Sequence, residues 1–181
     1  MPKYRPADVL KYSRHDHMNE LQIIKAYADL GHYDRIKPKI DQYIQRAAQE
    51  SRMTALAVPD FVEWALTYNW KSPKAPVTWS VEAIDVTWAD IESNMLASAA
   101  ALLDGLEAVL PLGPDHDLYG ELRGPQDRHI LFSYDGVKLE HRVIEELQKK
   151  VESAGGSLTV EKTDDGAIFI IKPQMDERGD E

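Results

Sequence analysis

A histidine followed at once by an aspartate, with an asparagine four residues on, makes a small reactive set. It occurs here as His15, Asp16 and Asn19 in the run Tyr12-Ser-Arg-His-Asp-His-Met-Asn-Glu-Leu-Gln22. An imidazole has a reference pKa of about 6.5, so near pH 7 much of it is neutral and offers a ring-nitrogen lone pair to an electrophile. An adjacent carboxylate can orient the ring or steady the proton on its other nitrogen. An amide one helical turn away adds a second directional group. His15 and His17 make a poor metal pair, because an i,i+2 spacing points side chains apart on a helix. The chain has no cysteine, which removes thiolate nucleophiles, thiolate zinc sites and disulfide frameworks together.

The element that must carry this set is a helix predicted from about Ala7 to Leu30. Val9/Leu10, Met18, Leu21, Ile24 and Ala28 recur at the spacing of an apolar stripe. His15, Asn19, Gln22 and Ala26 stack one turn apart on another side. Gly31 suits the residue after a helix end, and Asp34 suits the N-cap of the next helix. Pro38 falls close to that second start, where a missing N–H costs least. Ile36, Ile40, Tyr43/Ile44 and Ala47 then face one way, to about Met53. Residues 7–53 therefore read as an antiparallel helical hairpin. A lone hairpin cannot bury two apolar stripes, whereas two copies can do so as a four-helix bundle, so a homodimer is expected.

Beyond a junction closed by Pro59, residues 59–173 read as a second domain. A short helix (Phe61, Trp64, Ala65, Tyr68) precedes a strand over Val77–Val86, with Val77, Trp79, Val81 and Ala83 to one side. Ala89–Leu110 reads as a long helix and Pro111–Gly124 as loop, with Asp115-His-Asp117 as a turn. Ile130–Tyr134 reads as a strand and Leu139–Ala154 as a helix. Leu158–Lys162 and Ala167–Lys172 form a hairpin around Asp164-Asp-Gly166. Trp64, Trp70, Trp79 and Trp88 are expected in core or domain-interface packing. The charged tail 174–181 reads as disordered. Interleaved helices and strands of this kind imply an α/β sandwich, so the fold class is α+β: a helical hairpin followed by helices on one face of a mixed sheet.

The net charge of −10 argues against general nucleic-acid binding. It is unevenly placed. Residues 1–53 hold ten Lys/Arg against seven Asp/Glu, a balance of +3, and the remainder holds eleven against twenty-four, or −13. The helical start thus offers a mildly basic surface that an acidic partner would complement. No apolar run approaches the roughly 18 residues that span a bilayer, and no signal-peptide core opens the chain. A cytoplasmic protein without membrane contact is expected.

The run Ser13-Arg-His-Asp-His-Met-Asn-Glu-Leu-Gln22, followed by Gly31-His-Tyr-Asp-Arg35, resembles the phosphoacceptor hairpin of the sporulation initiation phosphotransferase B family. Sensor kinases of the citrate and C4-dicarboxylate type share that hairpin. The family pattern His-Asp/Glu-x-x-Asn-x-Leu falls here on His15, Asp16, Asn19 and Leu21, and the run Leu66-Thr-Tyr-Asn-Trp-Lys71 also looks like the sporulation family. The resemblance implies that His15 takes a phosphoryl group from an aspartate of one response-regulator receiver and hands it to a second. Asp16 would orient the imidazole or steady its proton. Asn19 would bond phosphoryl oxygens or partner residues, while Arg14 and Gln22 would meet the receiver.

The later part resembles the ATP-binding domain of histidine kinases with the nucleotide machinery removed. Gly155-Gly-Ser-Leu-Thr-Val-Glu161 and Gly166-Ala-Ile-Phe-Ile-Ile-Lys-Pro173 read like its closing hairpin. The asparagines that hold Mg²⁺–ATP are missing, with Ala101 and Gly105 nearest their places. Asp135-Gly136 alone stands for Asp-x-Gly-x-Gly, and Lys138-Leu-Glu-His-Arg142 replaces the glycine-rich lid. A phosphate cradle needs closely approaching backbone amides, hence glycines. The resemblance therefore implies a phosphotransferase rather than an ATP-dependent kinase. It implies no cofactor or metal held by this chain, with Mg²⁺ supplied by the receiver. The donor would be a single-domain receiver and the acceptor a response-regulator transcription factor, in the relay that starts sporulation. Two other readings stand beside it: a non-enzymatic protein that docks a receiver or kinase, and a sensor-kinase remnant that still uses ATP.

Overall fold

The computed structural model describes residues 6–82, 87–113, 116–124 and 127–175. The chain divides into two compact units that meet between Ala48 and Gln49. In the first, α1 (Pro6–Asp29) and the beginning of α2 (Tyr33–Thr54) form a helical hairpin. The turn between them is the one Gly31 predicts. With φ at +74°, Gly31 lets its own N–H reach the Ala28 carbonyl (3.1 Å) and the His32 N–H reach that of Tyr27 (2.9 Å). These two bonds satisfy carbonyls that the end of α1 would leave bare.

Helix α2 starts earlier than expected. Tyr33 is its first residue, so Asp34 is not the N-cap. It lies in the first turn, where its carboxylate complements the helix dipole. Pro38 is consequently the sixth residue, inside the helix, and one intrahelical N–H is lost there.

The second unit is a two-layer sandwich. Helices α3 (Pro59–Thr67), α4 (Glu92–Val109) and α5 (His141–Ser153) cover one face of a sheet. Its strands are β1 (Val77–Val81), β2 (Asp117–Arg123), β3 (His129–Asp135), β4 (Gly156–Lys162) and β5 (Gly166–Pro173). Their order is β1-β2-β3-β5-β4, with β1 parallel to β2 and the other neighbours antiparallel. Leu118, Leu122, Ile130, Phe132, Ala167, Phe169 and Ile171 are buried on the helix side. Tyr119, Leu131, Ile168 and Ile170 on the other side are exposed or half-exposed, as an antiparallel sheet covered once allows. Turns of 3₁₀ helix follow α3 (Tyr68–Lys71) and precede α4 (Ala89–Ile91). No helix among the described residues is long and apolar enough to cross a membrane.

Strand β2 corrects the expected loop over Pro111–Gly124, and Asp117 opens that strand rather than closing a turn. Leu118, Gly120 and Leu122 point inward in strict alternation, but a glycine and two acids hide the pattern. Gly120 stands opposite Trp79 on one side and Phe132 on the other. The two rings close over it with centroids 5.5 Å apart, and Trp79 also meets Phe61 and Trp64. A Cβ at Gly120 would fall 2.7 Å from the Trp79 ring.

Strand β1 is shorter than predicted, and residues 83–86 of the expected strand lie outside the described residues. Its free edge is met by side-chain amides. Asn69 donates to the Val77 carbonyl (2.8 Å) and accepts from the Val77 N–H (2.9 Å), and Gln49 Oε1 accepts from the Val81 N–H (2.8 Å). At the other end of the chain the Gln174 N–H donates to Gly155 O at 2.9 Å, while 176–181 of the predicted tail lie outside the described residues.

Gly120→Val should destabilise this unit by about 1–3 kcal/mol through overpacking. The measurement is urea unfolding followed by tryptophan fluorescence. A midpoint equal to that of the unchanged chain would contradict the inner position of β2.

Candidate functional site

Rotation by about 100° per residue gives α1 several distinct faces. His15 lies on a solvent face, its side chain 71% exposed. Its Nδ1 is 3.2 Å from the Asn19 side-chain amide nitrogen and 3.7 Å from Asp16 Oδ1. The i,i+4 spacing brings Asn19 to the ring, and chain adjacency brings Asp16. Both stand at the Nδ1 edge, so Nε2 is the ring nitrogen on the far side. Arg14 and Gln22 are exposed on the same helix, Gln22 along the His15 face. The structure therefore gathers His15, Asp16 and Asn19 and leaves Arg14 and Gln22 as neighbouring surface.

His17 points elsewhere, its ring edge-on to Tyr43 of α2 with centroids 6.0 Å apart. Among the described residues no group of three His, Asp or Glu side chains could hold a metal ion.

The face of α1 turned to α2 carries Val9, Ser13, Glu20, Ile24 and Tyr27, each half-buried. Leu10, Met18 and Leu21 of the apolar stripe are instead 50–63% exposed in the single chain. Glu20 was not singled out by its sequence. Its Oε1 pairs with Arg46 Nη2 (2.7 Å) and its Oε2 with Lys39 Nζ (2.9 Å). Burial pushes the Glu20 carboxyl up, but hydrogen bonds from Lys39 and Arg46 outweigh that and hold it below the usual carboxylate range. The sequence signal was a lone acid three residues after His17, with cations seven apart on the next helix.

In the second unit His116 is buried, with Nδ1 2.9 Å from the Tyr134 hydroxyl and Nε2 3.2 Å from Pro111 O. The Val137 N–H donates to the same hydroxyl. This is a satisfied structural histidine, unlike His15. Asp115 of the expected Asp115-His-Asp117 turn lies outside the described residues. Of the positions nearest the kinase asparagines, Gly105 is buried on α4 against Leu147 of α5. Trp64 and Trp88 are buried in the core and Trp79 packs against it.

Residues 7–56 match the family described as sensor kinase SpoOB-type, alpha-helical domain. The chain is 41% identical over 64 residues to sporulation initiation phosphotransferase B of Bacillus subtilis (strain 168), a match covering 35% of this chain. That stretch spans about a third (33%) of the relative's length. Among solved structures, a bacterial phosphotransferase superposes with a TM-score of 0.42 at 16% identity, covering 94% of this chain and 98% of that one. The histidine kinase AdeS of Acinetobacter baumannii gives 0.38 at 14% identity, covering 90% and 98%. Both scores lie below 0.5. The motif of His15, Asp16, Asn19 and Leu21 lies inside the matched residues, so the likeness to the SpoOB-type sensor-kinase alpha-helical family is carried by the helical segment of this chain.

Proposed function

We propose that this protein is a phosphorelay phosphotransferase in which His15 accepts a phosphoryl group from the aspartate of one response-regulator receiver and passes it to the aspartate of a second. The observation that carries this reading is the exposed imidazole whose Nδ1 edge alone is occupied, by Asp16 and Asn19. The neutral ring attacks through the Nε2 lone pair. A P–N bond forms, the P–O bond of the acyl phosphate breaks, and the donor aspartate leaves as carboxylate with the electron pair. The ring becomes cationic while Nδ1 keeps its proton, and the Asp16 carboxylate stands where it stabilises that charge. Asn19 serves the same tautomer when a half-turn of its amide presents Oδ1 to the Nδ1–H. The second transfer runs the same steps in reverse. Phosphoryl transfer has a loose transition state, so positioning and charge neutralisation do most of the work.

We assign the Mg²⁺ to the receiver. A hard cation wants several oxygen ligands, and beside His15 this chain offers the single carboxylate of Asp16. Arg14 and Gln22 border the imidazole and would meet the receiver, and the mildly basic hairpin suits an acidic partner. A setting in sporulation is supported by the likeness to sporulation initiation phosphotransferase B. The donor would be a single-domain receiver and the acceptor a response-regulator transcription factor, both in the cytoplasm.

The working form would be a homodimer. Leu10, Met18, Leu21 and Ile44 are at least half exposed in one chain, and two hairpins packed as a four-helix bundle would cover them. Sedimentation equilibrium at micromolar concentration should give twice the 20.5 kDa chain mass. Leu21→Glu with Ile44→Glu should give the monomer. A monomeric unchanged chain would remove the bundle.

The transfer itself is tested with a receiver carrying labelled aspartyl phosphate, mixed with this protein and Mg²⁺ but no ATP. Acid-labile, base-stable label should appear on the chain and vanish in His15→Ala. Asp16→Asn should slow transfer by about tenfold or more, the scale of one positioned acid–base group. No label from any receiver would favour the non-enzymatic docking protein instead.

A further inference from the structure

The free nitrogen of His15 lies on one particular side of its ring. Asn19, one turn toward the C-terminus, stands 3.2 Å from Nδ1. Nε2 is therefore at the outer end of the ring, on the side away from Asn19. Helical side chains also lean toward the helix N-terminus. The turn beneath Nε2 is thus the one before His15, which carries Lys11 and Tyr12.

Lys11 is the cation with reach to that place. It precedes His15 by four residues, so it lies about 40° from it around the axis, and side chains at this spacing start about 5–6 Å apart. A four-carbon lysine stem covers such a gap. Lys11 is exposed, and its Nζ is 6.0 Å from the ring centroid of Tyr12 on the same turn. The other cations of α1 stand elsewhere. Arg14 is about 100° round the axis from His15, and Lys25 is ten residues on, paired with Asp29. Lys39 and Arg46 of α2 are engaged by Glu20.

A phosphoryl group on Nε2 brings up to about two negative charges, with the Asp16 carboxylate already 3.7 Å from Nδ1. The Mg²⁺ assigned to the receiver offsets that charge only while the receiver is docked. Once it leaves, a cation of this chain must take over, or the charge is left to water and Asp16.

We propose that Lys11 is a further catalytic residue of the transfer: its ammonium binds the phosphoryl oxygens once the group is on Nε2 of His15, and so holds the phosphorylated form between its two receivers. The proposal rests on the reading of His15 as phosphoryl acceptor. No bond changes beyond those of the transfer itself; Lys11 donates hydrogen bonds to the phosphoryl oxygens and stays protonated.

The test is the position of the transfer equilibrium. A receiver carrying labelled aspartyl phosphate is mixed with the full chain and Mg²⁺, both proteins well below the dissociation constant of their complex. The ratio of label on the chain to label on the receiver is then read once it is steady. Docking alone cannot move this ratio, which depends only on the free proteins with and without the phosphoryl group. Lys11→Met should lower it by about two- to fivefold, the scale of one exposed ion pair, and Lys11→Arg should keep it. The difference should fade toward 1 M salt, where exposed charges are screened. Lysine and methionine have similar helix propensity, so α1 should persist in the variant. An unchanged ratio in Lys11→Met, with or without slower transfer, overturns the proposal. So does a lowered ratio that persists at 1 M salt, since that marks lost structure and not lost charge. A wholly unlabelled unchanged chain defeats the phosphotransferase reading and this proposal with it, whereas label with an unmoved ratio defeats the role of Lys11 alone.

Discussion

The periodicity of a single helix is the constraint on which this protein's chemistry depends. Twenty-four residues of α1 must serve separate demands at about 100° per residue. One face meets α2 through Val9, Glu20 and Ile24, a second displays Leu10, Met18 and Leu21, and a third displays His15, Asn19 and Gln22. No residue can leave its face without moving the others. With Glu20 turned to Lys39 and Arg46 of α2, His15 stands about 140° away on the exposed side of the helix.

The second unit answers a different constraint, the filling of a one-sided sheet. Its core is aromatic near β1, where Phe61, Trp64, Tyr68, Trp79 and Phe132 meet in successive pairs with centroids 5.5–6.1 Å apart. Elsewhere it is aliphatic, from Leu102, Leu103 and Leu106 of α4 to Leu147 and Val151 of α5. Large rings demand space that small residues must leave, and Gly120 leaves it. His116 and His15 divide along the same lines. His116 has both ring nitrogens engaged in the interior, whereas His15 keeps one edge to water.

What could be read from the sequence was what is local. The turn at Gly31, the hairpin at Asp164-Asp-Gly166 and the set of His15, Asp16 and Asn19 each depend on residues a few positions apart, and each stands in the structure. Helical periodicity also located the apolar stripe of α1, but a wheel tells which residues share a face and not what covers it. Glu20 escaped notice for that reason: its partners lie 19 and 26 residues away and are chosen by the rotation of two helices. Strand β2 escaped because its alternation is carried by a glycine, which registers as a turn until Trp79 and Phe132 are seen to need the space. The start of α2 moved ahead of Asp34 because an N-cap preference of about 1 kcal/mol yields readily to the tight turn before it.

The amides on β1 bear on a matter apart from signalling. β1 ends the sheet, and an open strand edge is a template on which another chain can add by backbone pairing. Here the outward N–H and C=O of Val77 are taken by Asn69 and the outward N–H of Val81 by Gln49, so a foreign strand would have to displace both side chains before pairing. Two amides thus stand in for a missing sixth strand, and they protect the folded chain against edge-to-edge aggregation.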